Sequence, residues 1–365
     1  MNTKLIYIKE DLSNLEELEP IAGAMDRGQV VCFPTETVYG LGARYDLDEA
    51  VQEIFRVKGR PQDNPLILHE ASVDRMARYY KTWDTVAEVL TRAFCPGPFT
   101  LIMEKADDLE TLASAGLHTI GIRIPDHPVA HALIKYLGKA VAAPSANISG
   151  RPSPTNGSDA YEDLAGKVPY IVVADQSRVG LESTIVSWVG GKLELLRPGG
   201  VSAQQIADAL IKSGINPLDV GFKVFALEDY EKESKPRAPG MKYRHYAPRA
   251  DVHIIEGNNL NDKLSYIEEQ VKRGKLGFKP GFYISTDLNK KLNHNSWPVL
   301  TFADTADHHE GSHYLFTAFR ELDREACSDI WVENLDLNGL GQAYMNRLEK
   351  AACKTLRDPS KGPHL

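Results

Sequence analysis

An α/β fold in two parts is what the sequence predicts, and three observations carry it. Short β-rich runs alternate with amphipathic segments through residues 1–213. The pattern breaks after Gly214, where mixed charge clusters such as LEDYEKESKPR replace any sustained apolar period. From Val252 a second and more regular strand–helix alternation begins. At 365 residues the chain also exceeds what a single core usually organises, so two domains are expected, each able to bury a core of its own.

In the first part, strands are expected at residues 5–8, 30–33, 66–69, 99–104, 120–124, 141–143, 170–174 and 184–189, and helices at 15–27, 48–57 and 202–212. Several strands follow one another without a crossover helix between them, so the sheet should be mixed, and largely buried. In the second part VHIIEG, GFYIS, VLTFAD and IWVEN read as strands, and helices near residues 260–273, 312–327 and 341–355 separate them. Crossovers of that length make a small parallel sheet. The stretch between, with RAPGMKYRHYAPRA at its end, has the composition of a linker. Its dense run Lys242, Tyr243, Arg244, His245, Tyr246 suits an anion better than a passive tether.

Apolar residues make up 42% of the chain and charged residues 25%, an ordinary globular balance that excludes wholesale disorder. The formal net charge of −8 argues against general affinity for nucleic acid. The first 215 residues hold 21 Lys and Arg against 28 Asp and Glu, so a polyanion would have to meet a local patch. Cysteines 32, 95, 327 and 353 form no close pair, which suggests neither zinc nor a disulfide framework. The N-terminus lacks the features of a secretory or transit signal, and no apolar run approaches a membrane span. A cytoplasmic location without membrane contact is therefore expected.

Chemistry-bearing residues gather in four places. FPTETVYGLG leaves a buried strand through Thr35, Glu36 and Thr37 and puts glycines on either side of Leu41, as a binding edge open to a ligand would. RVKGRPQDNPLILH sets Arg56, Lys58 and Arg60 around a Gly-Pro turn, where cations either meet solvent or grip an anion, with Asn64 and His69 following. APSANISGRPSPT presents Ser145, Asn147, Ser149, Ser153 and Thr155 beyond the carboxyl end of a strand, where open α/β sheets place ligands. LESTIV and LLRPGG add Ser183 and Arg197. P-loop, Rossmann glycine, kinase and nucleophile-elbow motifs are all missing, so a bound nucleotide would be held by side-chain cations and hydroxyls. His309-Glu310-Gly311-Ser312-His313 spells a zinc motif, but Gly311 weakens a helix there and no third ligand follows, so it reads as coincidence.

These segments, together with KGRPQDNPL, IGIRIPDH, APGMKYRHYAP and GLGQAYMNRLEKAA, stand in the order and spacing of the YrdC-like threonylcarbamoyl-AMP synthases, and the chain resembles the long form of that family. The resemblance implies a YrdC-like twisted mixed-sheet catalytic domain over residues 1–213. A linker acting as a lid would span 214–249, and a smaller Rossmann-like parallel-sheet domain 250–365. It implies synthesis of threonylcarbamoyl-adenylate and pyrophosphate from L-threonine, bicarbonate (or CO2) and ATP, the first step of tRNA threonylcarbamoyladenosine formation. By motif position, threonine would meet Thr37, His69, Arg123 and Ser183. ATP would meet Arg60, Asn64, Thr119, Ser145, Ser153, Arg197 and Tyr243, and Lys58 and Arg60 would be catalytic. Mg²⁺ would bridge the phosphates, with phosphate and water as its ligands and none from the protein. The product would pass to a downstream tRNA threonylcarbamoyl transferase, with a weak tRNA contact of this chain's own. The chain departs from the family pattern at Ser187, where an acidic residue is expected. The alternative reading is a non-catalytic double-stranded RNA or tRNA-binding module. Carbamoyl transfer from carbamoyl phosphate ranks below both, because the extra cysteine pairs of such relatives are missing.

Overall fold

The computed structural model describes residues 2–225, 235–241, 245–277, 279–292, 296–303 and 308–352. Two compact units divide the chain. One holds Met1–Ser149 with Pro154–Lys242, and the other Gly150–Ser153 with Tyr243–Leu365.

In the first unit the strands are β1 Lys4–Tyr7, β2 Val31–Phe33, β3 Gly40–Arg44, β4 Ile67–His69, β5 Phe99–Glu104, β6 Thr119–Arg123, β7 Val141–Ala143, β8 Tyr170–Val173, β9 Thr184–Val189, β10 Lys192–Arg197 and β11 Lys223–Val224. They form one mixed sheet in the order β1-β8-β2-β3-β7-β4-β6-β5-β9-β10-β11. The helices are α1 Glu19–Asp26, α2 Asp48–Lys58, α3 Val73–Ala77, α4 Thr85–Phe94, α5 Pro128–Leu137, α6 Gly157–Leu164 and α7 Ala203–Lys212. A large cluster around Leu41, Ile54, Leu68, Leu101, Ile122 and Leu195 lies on one side of the sheet. A second, around Phe33, Leu133, Val141 and Val172, joins β2, β7 and β8 to α1 and α5. The layering is the expected α/β one, with apolar faces on both sides of a buried sheet.

Several elements go beyond those the sequence predicts. Helix α5 begins at Pro128 and ends on Gly138 in the left-handed region, the usual pairing of a first-turn proline with a terminal glycine. Strands β9 and β10 are an antiparallel hairpin joined by Gly190 and Gly191, both with positive φ, a two-residue turn that the Gly-Gly pair announces. Lys223 and Val224 pair with Glu194 and Leu195, so the stretch read as linker contributes a short edge strand.

The reading of the two glycines beside Leu41 needs correction. They lie inside β3, and a Cβ on Gly42 would stand 2.5 Å from Val141 Cγ1 and 2.6 Å from the Phe33 ring. Gly40 faces the same ring at 3.1 Å. Protein side chains, and no ligand, fill the space the glycines leave.

The second unit carries β12 Asp251–Ile255, β13 Pro280–Ser285, β14 Val299–Phe302 and β15 Asp329–Glu333, all parallel, in the order β12-β15-β13-β14. Its helices are α8 Leu260–Lys272, α9 Thr286–Lys291, α10 His308–Arg324 and α11 Gly341–Ala352. Glu333, fully buried, accepts from the Ser285 backbone N–H (2.6 Å) and from Lys263 Nζ (2.9 Å), tying β15 to β13 and α8. Helix α10 runs straight through Gly311, which was expected to weaken it. The missing side chain leaves just enough room for Leu335, which a Cβ would meet at 3.1 Å. His309 and His313 stack on that helix with ring centroids 6.3 Å apart. Among the described residues no group of three or more His, Cys, Asp or Glu side chains is placed to hold a metal ion, and no helix is long and apolar enough to cross a membrane.

Candidate active site

The functional side chains of the first unit gather where β4 and β6 end and β5 and β9 begin. β4 and β6 run parallel, β6 and β5 antiparallel, β5 and β9 parallel, so all four meet at one end of the sheet. His69 and Arg123 are register neighbours there, as are Arg123 and Thr100.

The turn after β2 explains Thr-Glu-Thr. Thr35 Oγ1 donates to Val38 O (2.6 Å) and receives the Val38 and Thr37 backbone N–H groups (both 3.3 Å), so this hydroxyl builds the turn. With the Thr35 hydrogen spent on Val38 O, the Thr37 hydroxyl donates to Thr35 Oγ1 across 2.9 Å. Thr37 Oγ1 is then the acceptor for Arg123 Nη1 at 2.8 Å. Between the two threonines, Glu36 points the same way and its Oε1 meets Arg123 Nη2 at 2.5 Å. Glu36 is 2% exposed and Arg123 4%. The ion pair is therefore desolvated, and its strength depends on nearby groups instead of water. Glu36 Oε2 and Arg123 Nε have no partner among the described residues.

Ser183 enters the same cluster through Thr100, whose hydroxyl lies 2.8 Å from Ser183 Oγ. Arg197, closing β10, donates from Nη2 to Ser183 O (2.9 Å) and from Nη1 to Pro239 O (3.2 Å). Gly199 makes this approach feasible, because a Cβ there would lie 2.2 Å from Thr184 N. Pro239 belongs to the described piece of the linker, residues 235–241. Its Ala238 and Met241 are buried with Ile67, Ile102, Ile185 and Leu196, and Arg237 pairs with Glu194 Oε2 at 2.7 Å.

The basic run divides by position on α2. Arg56 is exposed and pairs with Glu53 one turn back, so it belongs to solvent and not to a clamp. Lys58, the last helical residue, is 1% exposed and donates from Nζ to Ser145 O and Asn147 O. The expectation that these cations either meet solvent or grip an anion fails at Lys58, because two loop carbonyls partner it inside the fold. Gly59, with φ +61, caps the helix and turns the chain. Burial first, and the charge of Arg60 second, hold the Lys58 pKa well below the usual lysine range. Arg60 donates to Asn64 O (3.3 Å) and Pro65 O (3.0 Å). Asn64 is 1% exposed with its side-chain carbonyl unpartnered among the described residues. The loop Pro144–Asn147 lies along β3, Leu41 N donating to Pro144 O (2.9 Å) and Ala146 N to Tyr39 O (2.8 Å).

Of the sequence-derived candidates, Thr37, His69, Arg123, Ser183 and Arg197 are thus linked through direct contacts and strand register. Lys58 and Ser145 form a second group, Arg60 and Asn64 a third. Thr119 opens β6 at its other end, about 13 Å from Arg123 at ~3.3 Å per residue. It lines a narrow pocket with Pro65, Gly121, Arg237 and Pro239. Ser153 is buried within the second unit's short stretch, where Ala247 N donates to Gly150 O (2.9 Å) and Arg320 Nη2 to Pro152 O (2.6 Å). Tyr243 lies outside the described residues. Thr100 and the pairing of Glu36 were missed. Thr100 sits in an apolar strand, FTLIME, where only its isolated hydroxyl hints at a role.

Two buried histidines set a pH dependence. Burial, then Arg123, press the His69 imidazole down to about 3. Burial, then Arg178, press His127 to about 4, against the opposing charge of Asp126 and with Glu10 Oε1 3.3 Å from its Nε2. Unfolded, both titrate near ~6.5. Between those values the unfolded chain binds protons that the folded chain does not, so stability is complete above about pH 6.5 and declines as the pH falls toward 4. Thermal melts at about pH 7.5 and 5 should show the drop, and His127→Phe should make it smaller. A drop of equal size in that variant would assign the effect to other groups.

Buried cations and hydroxyls converging on one end of an open mixed sheet define an α/β enzyme of the kind that handles small anionic substrates. The comparisons place it within a family. Residues 23–199 match the Sua5/YciO/YrdC family model, described as telomere recombination, and residues 201–353 match the threonylcarbamoyl-AMP synthase C-terminal domain. The threonylcarbamoyl-AMP synthase of Pyrococcus abyssi is 38% identical across 96% of this chain and 98% of its own. That of Bacillus subtilis is 37% identical across the same shares. The crystal structure of P. abyssi Sua5 complexed with L-threonine superposes with a TM-score of 0.84 at 36% identity, covering 96% of this chain and 97% of the other. The chain belongs to the threonylcarbamoyl-AMP synthase family, in its two-domain form.

Proposed function

We propose that this chain joins L-threonine, bicarbonate or CO2, and ATP into threonylcarbamoyl-adenylate and pyrophosphate, in the cytoplasm, for a tRNA threonylcarbamoyl transferase to consume. The observation that carries the reading is the convergence of Thr37, His69, Arg123 and Ser183 at one end of the sheet. The first two come from separate loops or strands, and the last lies 83 residues from the Thr100 hydroxyl that ties it in.

Threonine carries a carboxylate, which a buried guanidinium receives as a two-pronged partner. Arg123 holds that place. Neutral His69 and the Ser183 hydroxyl are suited to the substrate's own hydroxyl, one as acceptor and one as either partner. Carboxylating the amine adds a second anion, and the carbamate must attack the α-phosphorus of a polyanion. Repulsion is the obstacle, so Lys58, Arg60 and Arg197 act by offsetting charge on the phosphates and the departing pyrophosphate. Thr119, at the far end of β6 from Arg123, would meet the nucleotide away from the threonine end of the site. Ser145, Asn64, Ser153 and Tyr243 complete the ATP set. Mg²⁺ would arrive with ATP, held by phosphate and water, which suits a cluster whose Glu36 carboxylate is engaged with Arg123. Acceleration comes from positioning and charge compensation, with no covalent enzyme intermediate. A weak tRNA contact remains part of the proposal.

Pyrophosphate release with ATP, bicarbonate and each amino acid in turn tests this directly. Threonine should be the preferred substrate and serine a poorer one, because threonine's methyl group as well as its hydroxyl should find a fitted partner. Arg60→Ala should lower the rate by about 10²-fold. Salt-sensitive RNA binding without threonine-dependent pyrophosphate release would favour the RNA-binding module instead.

A further inference from the structure

We infer that Glu36 is a substrate-binding residue, the group that recognises the ammonium of the amino acid and so makes the site selective for a zwitterion over a simple carboxylic acid. The inference rests on the reading of the site as the threonine pocket.

A buried carboxylate ordinarily satisfies both oxygens, and a buried guanidinium all its N–H groups. The pair at the heart of this cluster does neither. Glu36 Oε1 lies against Arg123 Nη2, while Oε2 is buried without a donor and Arg123 Nε–H without an acceptor, among the described residues. Glu36 is held in place by its own backbone, whose carbonyl accepts from Val179 N at 2.7 Å, and by the Thr35 turn on one side and Thr37 on the other. It cannot leave the cluster without dismantling that turn. Leaving a buried acceptor unfilled carries a cost that a bound ligand removes.

The two unfilled groups are opposite in character and belong to one ion pair. An amino acid supplies their complements on adjacent bonds, a carboxylate oxygen for Arg123 Nε–H and an ammonium N–H for Glu36 Oε2. A plain carboxylic acid fills only the first, and its charge meets the Glu36 carboxylate with nothing to offset it. Glu36 thereby balances Arg123 in the empty site and becomes an attractive partner only for a ligand that brings a positive nitrogen. That nitrogen is the atom to be carbamoylated. Ammonium and bicarbonate give carbamate, water and one proton released to solvent, so the nitrogen keeps one N–H and the same contact holds it before and after the carbon–nitrogen bond forms.

Calorimetric titration with L-threonine and with 3-hydroxybutanoate separates this role from a structural one. The second ligand keeps the carboxylate, hydroxyl and methyl and carries hydrogen where threonine carries nitrogen. In the wild type threonine should bind more tightly by tenfold or more, of the order a charge-assisted hydrogen bond supports. In Glu36→Gln threonine should weaken about tenfold or more. 3-Hydroxybutanoate should bind as well as before or better, because Arg123 has lost its internal counter-charge. Glu36→Asp keeps the charge but withdraws the acceptor, and should weaken threonine alone. That variant carries the test should Glu36→Gln fail to fold. Equal weakening of both ligands, or unchanged threonine affinity, overturns the inference while leaving the proposed reaction intact. A wild-type chain that binds no threonine overturns the underlying reading and this inference with it.

Discussion

Arg123→Met is expected to lower the melting temperature sharply and to abolish threonine-dependent pyrophosphate release. The variant strands the Glu36 carboxylate, 2% exposed, without its cation. Breaking a buried pair from one side costs about 3–5 kcal/mol, against a total stability of about 5–15 kcal/mol for a typical domain. The Thr37 hydroxyl also loses the donor that reaches it at 2.8 Å, so the turn after β2 loosens at the same time. Removing both charges distinguishes the two effects. Glu36→Leu with Arg123→Met should recover most of the lost stability, since a desolvated ion pair replaced by apolar side chains is often neutral. It should remain without activity, because nothing then receives the substrate carboxylate. If the single variant melts like the wild type, the pair is not buried in the way described.

Lys58→Met should cut the turnover number by about 10²–10³-fold while the chain stays folded. Lys58 Nζ is the donor for two carbonyls, Ser145 O and Asn147 O, and the variant takes that donor from both, at about 1–3 kcal/mol apiece at most. The loop bearing Ser145 is also fastened to β3 by backbone bonds from Leu41 and Ala146, so it should shift without unfolding. With the Lys58 charge gone, a shift of that loop also carries Ser145, a residue of the proposed ATP site, away from Arg60, which is why the rate should fall although the fold holds. Lys58→Arg should not rescue it, because a site 1% exposed has no room for a guanidinium. Its neighbour supplies the contrast. Arg56→Ala, two residues away on an exposed face, should leave both rate and melting temperature near those of the wild type. Initial rates at saturating threonine and ATP, with melts alongside, decide between these outcomes.

Much of this site was legible in the sequence because its residues stand where a strand or helix ends. Thr37, His69, Arg123, Ser145 and Arg197 follow or close an apolar run, Ser183 stands just before one, and the runs themselves show the α/β alternation. What stayed hidden depends on contacts between distant segments. The partner of Arg123 is 87 residues away, so Glu36 looked like one polar residue between two hydroxyls. Thr100 meets Ser183 across 83 residues and, within its own strand, resembles any other β-branched residue. Gly40 and Gly42 were read as an approach for a ligand because their crowding by Phe33 and Val141 is visible only once β2, β3 and β7 are side by side. The overlooked hairpin of β9 and β10 is a different kind of omission, since the Gly190-Gly191 pair was a local signal.

The order of the strands in the first sheet has a consequence for synthesis on the ribosome. Neighbours in space come from early, middle and late stretches of the chain, and the cluster around Arg123 needs Thr37 as well as Ser183 and Arg197. A growing polypeptide therefore exposes no half-built pocket that could capture an amino acid prematurely. The proposed pocket is complete only once nearly 200 residues have emerged.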